Sequence, residues 1–135
     1  MELRKNRHSV YKLNYHLIIV IKKRRKLLTP AIGEELRNIV IKIVEEKWGC
    51  VISEFGFESD HIHIAFEAPP QVQLSKLVNS IKTASGKRLR NCFPELKRFD
   101  SLWSPSYCLL STGGAPVDIV KRYISEQKGD PANPS

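Results

Sequence analysis

The sequence predicts an α+β domain, with a four-stranded antiparallel sheet, two helices on one of its faces and a further helix at the C-terminus. Three observations predict it. Apolar and polar residues alternate through His61–Ala68, the period of a strand. Apolar residues recur at helical spacing through Pro30–Trp48 and again from Leu74 to about Cys92. Turn and breaker residues separate these stretches in the order β-α-β-β-α-β, with one more helix after them.

Tyr11–Ile21 is the first predicted strand, aromatic and β-branched, ending in the charged turn Lys22–Lys26. Thr29 is an N-cap with Pro30 in the first helical turn. Ile32, Leu36, Ile39, Val40, Ile43 and Val44 then form one stripe up to Trp48, and Gly49 ends the helix. Cys50–Glu58 is strand two, Ser59-Asp60 a tight turn and His61–Ala68 strand three, stopped by Pro69-Pro70. Leu74, Leu77, Val78 and Ile81 open the second helix, and Pro94 lies beyond its end. Phe99–Pro105 reads as a loop and Tyr107–Ser111 as a short fourth strand closed by Gly113-Gly114. Pro116 starts the last helix, whose stripe is Val117, Val120 and Ile124. A mobile tail is expected from Gly129.

This order is the split βαβ, or ferredoxin-like, arrangement, here read as one domain over residues 1–135. It places strand one beside strand three at the centre of the sheet and leaves one sheet face for a ligand. Fold alone names no function.

Bulk properties narrow the class. Apolar residues make up 41%, enough for a core, and no apolar stretch approaches the roughly 20 residues of a membrane span. The longest aliphatic run, Leu17–Ile21, is too short for a signal peptide, so a cytoplasmic protein is expected. Cys50, Cys92 and Cys108 are far apart, with no Cys-x-x-Cys pair, which argues against a disulfide scaffold or a cysteine zinc site. Net charge is +8 and unevenly spread. Residues 1–26 hold nine Lys/Arg against Glu2, and Lys76–Arg98 holds seven against Glu95. Two such basic clusters suit a polyanion partner, although a solvated surface has the same composition.

The chemistry concentrates at His61-Ile62-His63. On a strand, Ile62, Ile64 and Phe66 face one way and His61, His63, Ala65 and Glu67 the other. Two neighbouring imidazoles can converge on one metal ion, although such pairs also occur as plain surface residues. Tyr123 and Gln127 stand four residues apart, one turn along one face of the last helix. A tyrosine there is often only a core-rim aromatic. Combined with the histidines, however, the set provides a third oxygen ligand, a phenolic nucleophile and a bound cation. Such a set suits DNA strand transfer. A phenol ionises near pH ~10 and attacks poorly at neutrality, and a cation polarising the scissile phosphate offsets that. Attack forms a phosphotyrosine and releases a 3′-hydroxyl, and a second 3′-hydroxyl can reverse the step without ATP. Two imidazoles and an amide carbonyl suit Mn²⁺ better than Mg²⁺, and zinc also binds such histidines.

In these residues the chain resembles the single-tyrosine HUH transposases (TnpA-like) of small prokaryotic insertion sequences that move as single-stranded DNA. His61-Ile62-His63 matches the HUH motif, Tyr123 the family's nucleophile and Gln127 its third metal ligand. Tyr15-His16-Leu17, Asp60, Ile81-Lys82, Lys87-Arg88-Leu89 and Leu102-Trp103-Ser104 also fit, so the resemblance runs from about Tyr11 to Lys128. It implies a divalent cation, Mg²⁺ or Mn²⁺, a homodimer, and binding of imperfect DNA hairpins near element ends. It further implies that Lys22, Lys23, Arg24 and Arg25, with Lys82, Lys87, Arg88 and Arg90, hold hairpin phosphates, and that the protein is nucleoid-associated when bound. Alternatives remain: an RNA-binding sheet module, a hairpin-binding relative that no longer cuts, or a replication-initiator or relaxase-type HUH nuclease. The first would carry aromatics where His61, His63 and Glu67 stand.

Overall fold

A computed structural model describes residues 4–5, 10–11, 13–111 and 117–127, and the side chains of 13–111 and 122–127. Gly113-Gly114, Pro116 and the tail from Gly129 lie outside the described residues, as do the side chains of Val117 and Val120.

The elements are β1 (Arg4–Lys5), β2 (Val10–Tyr11), β3 (Asn14–Val20), α1 (Pro30–Lys42), β4 (Val51–Glu58), β5 (His61–Glu67), α2 (Leu74–Cys92), β6 (Cys108–Ser111) and α3 (Val117–Glu126). The main sheet has the order β4-β5-β3-β6, antiparallel throughout. The first and third predicted strands, β3 and β5, are therefore its two central strands, as expected.

The pleat decides what goes where. Leu17, Ile19, Ile62, Ile64 and Phe66 share one face and join the core, each almost wholly shielded. Leu36 and Val40 of α1 and Leu77, Val78, Ile81 and Leu89 of α2 cover that face. Thr29 caps α1, its Oγ1 accepting from Ile32 N at 3.3 Å. At Gly33 the ring of Phe57 lies where a Cβ would stand, so a larger residue there requires Phe57 to shift.

Several boundaries differ from the sequence expectation. Strand one starts at Asn14 rather than Tyr11, because Val10–Tyr11 pairs with Arg4–Lys5 in a separate two-stranded ribbon. The first α-helix ends at Lys42 and continues as a wider π-turn through Ile43–Lys47, which keeps Ile43 and Val44 buried. Pro94–Arg98 forms a 3₁₀ turn, and the fourth strand starts at Cys108. In the predicted loop, Trp103 pairs with Ile21 as an isolated antiparallel bridge. Nor is the second sheet face open throughout: Ile18 and Val20, on that face, are fully buried.

Candidate catalytic site

His61 and His63 stand on β5, on the face turned away from α1 and α2, as their alternation with Ile62 and Ile64 requires. Their cross-strand partners on β3 are Val20 and Ile18. On β4, Gly56 stands directly opposite His63, and a Cβ built there would meet nothing within 4 Å. The flank of His63 is thus clear.

Each imidazole has a partner. Asp60 Oδ1 lies 2.9 Å from His61 Nδ1. The carboxylate accepts the Nδ1 proton, so the lone pair of His61 sits on Nε2, the nitrogen a metal would use. His63 Nε2 lies 3.0 Å from His16 Nδ1 on β3. The two rings are parallel within 5°, with centroids 5.2 Å apart. That separation is the N···N distance plus the two ring radii, so the rings meet edge to edge in a common plane rather than face to face. Burial, then the nearby His16, lowers the pKa of His63, with Glu54 opposing, so its ring is neutral at pH 7.

The other half of the site enters through the chain before β6. Trp103 is 4% exposed, and its Nε1 donates to Ser85 Oγ of α2 at 3.0 Å. That anchor, with Ser104 N donating to Val20 O at 2.8 Å, makes residues 102–104 an extra strip along β3. Ser104 consequently lies in the same cross-sheet row as Val20 and His61. The row spans two strand spacings, roughly 10 Å between the outer backbones. Ser104 Oγ donates to Gln127 Oε1 at 3.2 Å, and Ser106 Oγ to the same oxygen at 3.3 Å. Ser106 Oγ also lies 3.2 Å from Tyr123 Oη. Gln127 Nε2 donates to Tyr123 O at 3.4 Å, closing the turn. Two serines thus tie the nucleophile candidate and the amide to one strip of chain, in line with His61. Burial raises the pKa of Tyr123; its hydrogen bond with Ser106 lowers it and the neighbouring Cys108 raises it.

Neither Ser104, Ser106 nor His16 was singled out from sequence as a site residue. His16 and Ser104 enter the sequence reading only within stretches that fit the family, with no role attached, and Ser106 does not enter it. Among the described residues no three His, Cys, Asp or Glu side chains are grouped to hold a metal. The set expected from sequence is two imidazoles and an amide oxygen, whose donor chemistry would fit a divalent ion of borderline hardness.

The basic residues divide between two regions. The turn Lys22–Arg24 adjoins the histidines, where Arg24 Nε lies 3.4 Å from Asp60 Oδ2. Arg25 lies over the Phe99 ring at 4.7 Å, with Arg98 at 4.8 Å. Lys82 Nζ donates to Pro105 O at 3.2 Å, beside the serine strip. Lys87 and Arg88 belong to the helical layer on the other side of the sheet, where with Lys47, Lys76 and Trp48 they line a groove of about 700 Å³. Arg90 borders a smaller cavity with Lys82 and Trp103, and its Nε and Nη2 are buried without a hydrogen-bond partner.

Likeness to known proteins assigns this fold to a transposase-type domain. Residues 9–127 match the family model for IS200-like transposases, and the chain belongs to that family. It is 32% identical over 130 residues to the ISDra2 transposase TnpA of Deinococcus radiodurans, covering 94% of this chain and 92% of that one. It is 27% identical over 127 residues to the transposase of insertion sequence element IS200 of Salmonella typhimurium, covering 90% and 83%. A crystal structure from Deinococcus radiodurans R1 superposes with a TM-score of 0.88 at 32% identity, over 94% of this chain and 99% of that chain. A REP-associated tyrosine transposase, solved bound to a REP hairpin, shares the fold with a TM-score of 0.56 at 16% identity, over 92% and 70%.

Proposed function

We propose that this transposase cuts and rejoins single-stranded DNA at the ends of an insertion sequence through a 5′-phosphotyrosine at Tyr123. His61, His63 and Gln127 hold a divalent cation, Mg²⁺ or Mn²⁺, for the reaction. The observation that supports this reading is that Ser104, in the row of His61, and Ser106 both donate to Gln127 Oε1, while Ser106 Oγ also lies beside Tyr123 Oη.

Tyr123 Oη attacks the scissile phosphorus. The new P–O bond joins tyrosine to the 5′ side, and the 3′ oxygen leaves as a hydroxyl. The phenol is protonated at neutral pH, the more so because burial raises its pKa, so its proton passes to solvent as the P–O bond forms, and the departing 3′ oxygen takes a proton from solvent. When bound, the cation polarises a non-bridging phosphate oxygen and offsets the charge that would repel the phenolate. Asp60 keeps His61 in the ligating tautomer, and Ser104 and Ser106 hold the Gln127 oxygen toward the same row. Attack by another 3′-hydroxyl on the phosphotyrosine restores Tyr123 and joins the strands.

Imperfect hairpins at the element ends are the proposed recognition targets, as a hairpin is for the REP-associated relative. Lys22, Lys23 and the Lys87/Arg88 groove supply the phosphate contacts. A homodimer is the proposed assembly, acting on DNA in the cytoplasm; no helix among the described residues is long and apolar enough to cross a membrane. The test is incubation with single-stranded DNA from the flanks of the gene plus Mn²⁺, followed by denaturing electrophoresis. A denaturant-resistant complex that vanishes in Tyr123→Phe, while hairpin binding persists, is expected. A complex that survives the substitution moves the nucleophile to another residue.

A further inference from the structure

We propose that Arg24 and Asp60 are positioning residues for His61, so that the basic turn after β3 serves the catalytic site and not only a DNA surface. The inference rests on the reading of His61 as a metal ligand.

Lys23 and Arg24 both have positive φ, 59° and 54°. Two consecutive non-glycine residues in the left-handed region persist only where their surroundings dictate it. Here the surroundings are specific. Lys22 N donates to Leu102 O at 2.9 Å and Arg24 N to Ile21 O at 2.8 Å. Ile21 N donates to Asp60 O at 2.8 Å, so the turn and the Ser59-Asp60 turn are fastened back to back. The result delivers Arg24 Nε to Asp60 Oδ2 at 3.4 Å.

Asp60 is 8% exposed, and a buried carboxylate needs a partner for its charge. Its two oxygens divide the work. Oδ2 meets the Arg24 guanidinium, and Oδ1 accepts from His61 Nδ1 at 2.9 Å. The chain Arg24–Asp60–His61 thereby fixes both the ring's orientation and its tautomer, leaving Nε2 for the cation. Asp60→Asn keeps one acceptor oxygen, which the guanidinium of Arg24, a donor only, takes; the amide NH₂ then faces His61 Nδ1 and favours the proton on Nε2. Removing the Arg24 charge leaves Asp60 buried and uncompensated, and the carboxylate then turns to water and releases the ring.

The test uses the full chain in four forms: wild type, Asp60→Asn, Arg24→Gln and His61→Ala. Mn²⁺ affinity is read by electron paramagnetic resonance, and the His61 tautomer by long-range ¹H–¹⁵N correlation on the metal-free protein. Asp60→Asn should weaken Mn²⁺ binding about 10–100-fold and move the proton to Nε2. Arg24→Gln should weaken it in the same direction, with Arg24→Lys restoring part of the loss. The amide ¹H–¹⁵N spectrum of Asp60→Asn should keep the dispersion of the wild type, which a merely unfolded variant would not allow. If His61→Ala loses Mn²⁺ while Asp60→Asn and Arg24→Gln keep wild-type affinity and tautomer, the inference fails and the metal reading stands. If Arg24→Gln changes only the salt dependence of DNA binding, Arg24 is a phosphate contact and the inference is overturned. If His61→Ala binds Mn²⁺ as well as wild type, the metal reading fails and takes the inference with it.

Discussion

His16 Nδ1 lies 3.0 Å from His63 Nε2 across the central strands, in one plane with it. One nitrogen offers one lone pair or one N–H, so Nε2 cannot serve His16 and a cation at once. If the cation takes Nε2, His16 is its competitor. His16→Leu should then tighten Mn²⁺ binding about three- to tenfold, the worth of a net hydrogen bond. Titration calorimetry would decide it, and weaker binding would make His16 a support for the site.

The pH profile of adduct formation should rise from neutrality toward alkaline pH. Burial raises the pKa of Tyr123, which lowers the phenolate fraction at any given pH. The Ser106 hydrogen bond works the other way, the serine turning its one proton from Gln127 Oε1 to the phenolate. Ser106→Ala removes that lowering, so the pKa rises further, the profile moves to higher pH, and the rate at pH 7 falls. Single-turnover kinetics from pH 6 to 9 would show it. A profile displaced toward acid would contradict the assignment.

His61→Ala should abolish Mn²⁺-dependent adduct formation and leave salt-sensitive DNA binding near wild type. The imidazole contributes a ligand, whereas binding without metal draws on distributed phosphate contacts. Filter binding beside denaturing electrophoresis separates the two. Equal loss of both would show that His61 acts in binding or folding.

Replacing Lys23 or Arg88 by Ala should each reduce the slope of log affinity against log salt by about one. Lys23 lies in the turn beside the histidines and Arg88 in the helical layer, so both slopes change only if DNA reaches both regions, on one chain or across a pair. An unchanged slope for Arg88 would confine the DNA to the histidine side.

Gly33→Ala should destabilise the fold by about 1–3 kcal/mol, since the new methyl meets the Phe57 ring. Urea unfolding would report a lower midpoint at unchanged slope. An unchanged midpoint would mean that Phe57, on the rim of the core, swings away freely.

Much of this was legible in local pattern. The alternation through His61–Glu67 determines which face carries the imidazoles, and the stripes beginning at Ile32 and Leu74 determine which face the helices cover. Spacing alone puts Tyr123 and Gln127 one turn apart, but α3 ends at Glu126 and Gln127 follows it in a tighter turn, its N donating to Ile124 O. What escaped depends on register between distant segments. His16 meets His63 only because β3 pairs antiparallel with β5, with Ile18 opposite His63. Ser104 reaches Gln127 only because Trp103 inserts beside Ser85 and draws residues 102–104 onto β3. Arg24 reads as one more cation in a basic run, and its reach to Asp60 follows from two left-handed residues that no propensity would suggest. The ribbon of Arg4–Lys5 and Val10–Tyr11 has too few residues for a periodic signal.

The most direct test of the shared cation is an anomalous difference map from crystals soaked in Mn²⁺. A peak bonded to His61 Nε2, a nitrogen of His63 and Gln127 Oε1, within one chain or across a pair of chains, and within reach of Tyr123 Oη, is the result expected here. No peak among those three groups, or manganese bound elsewhere with His61 facing solvent, would contradict it.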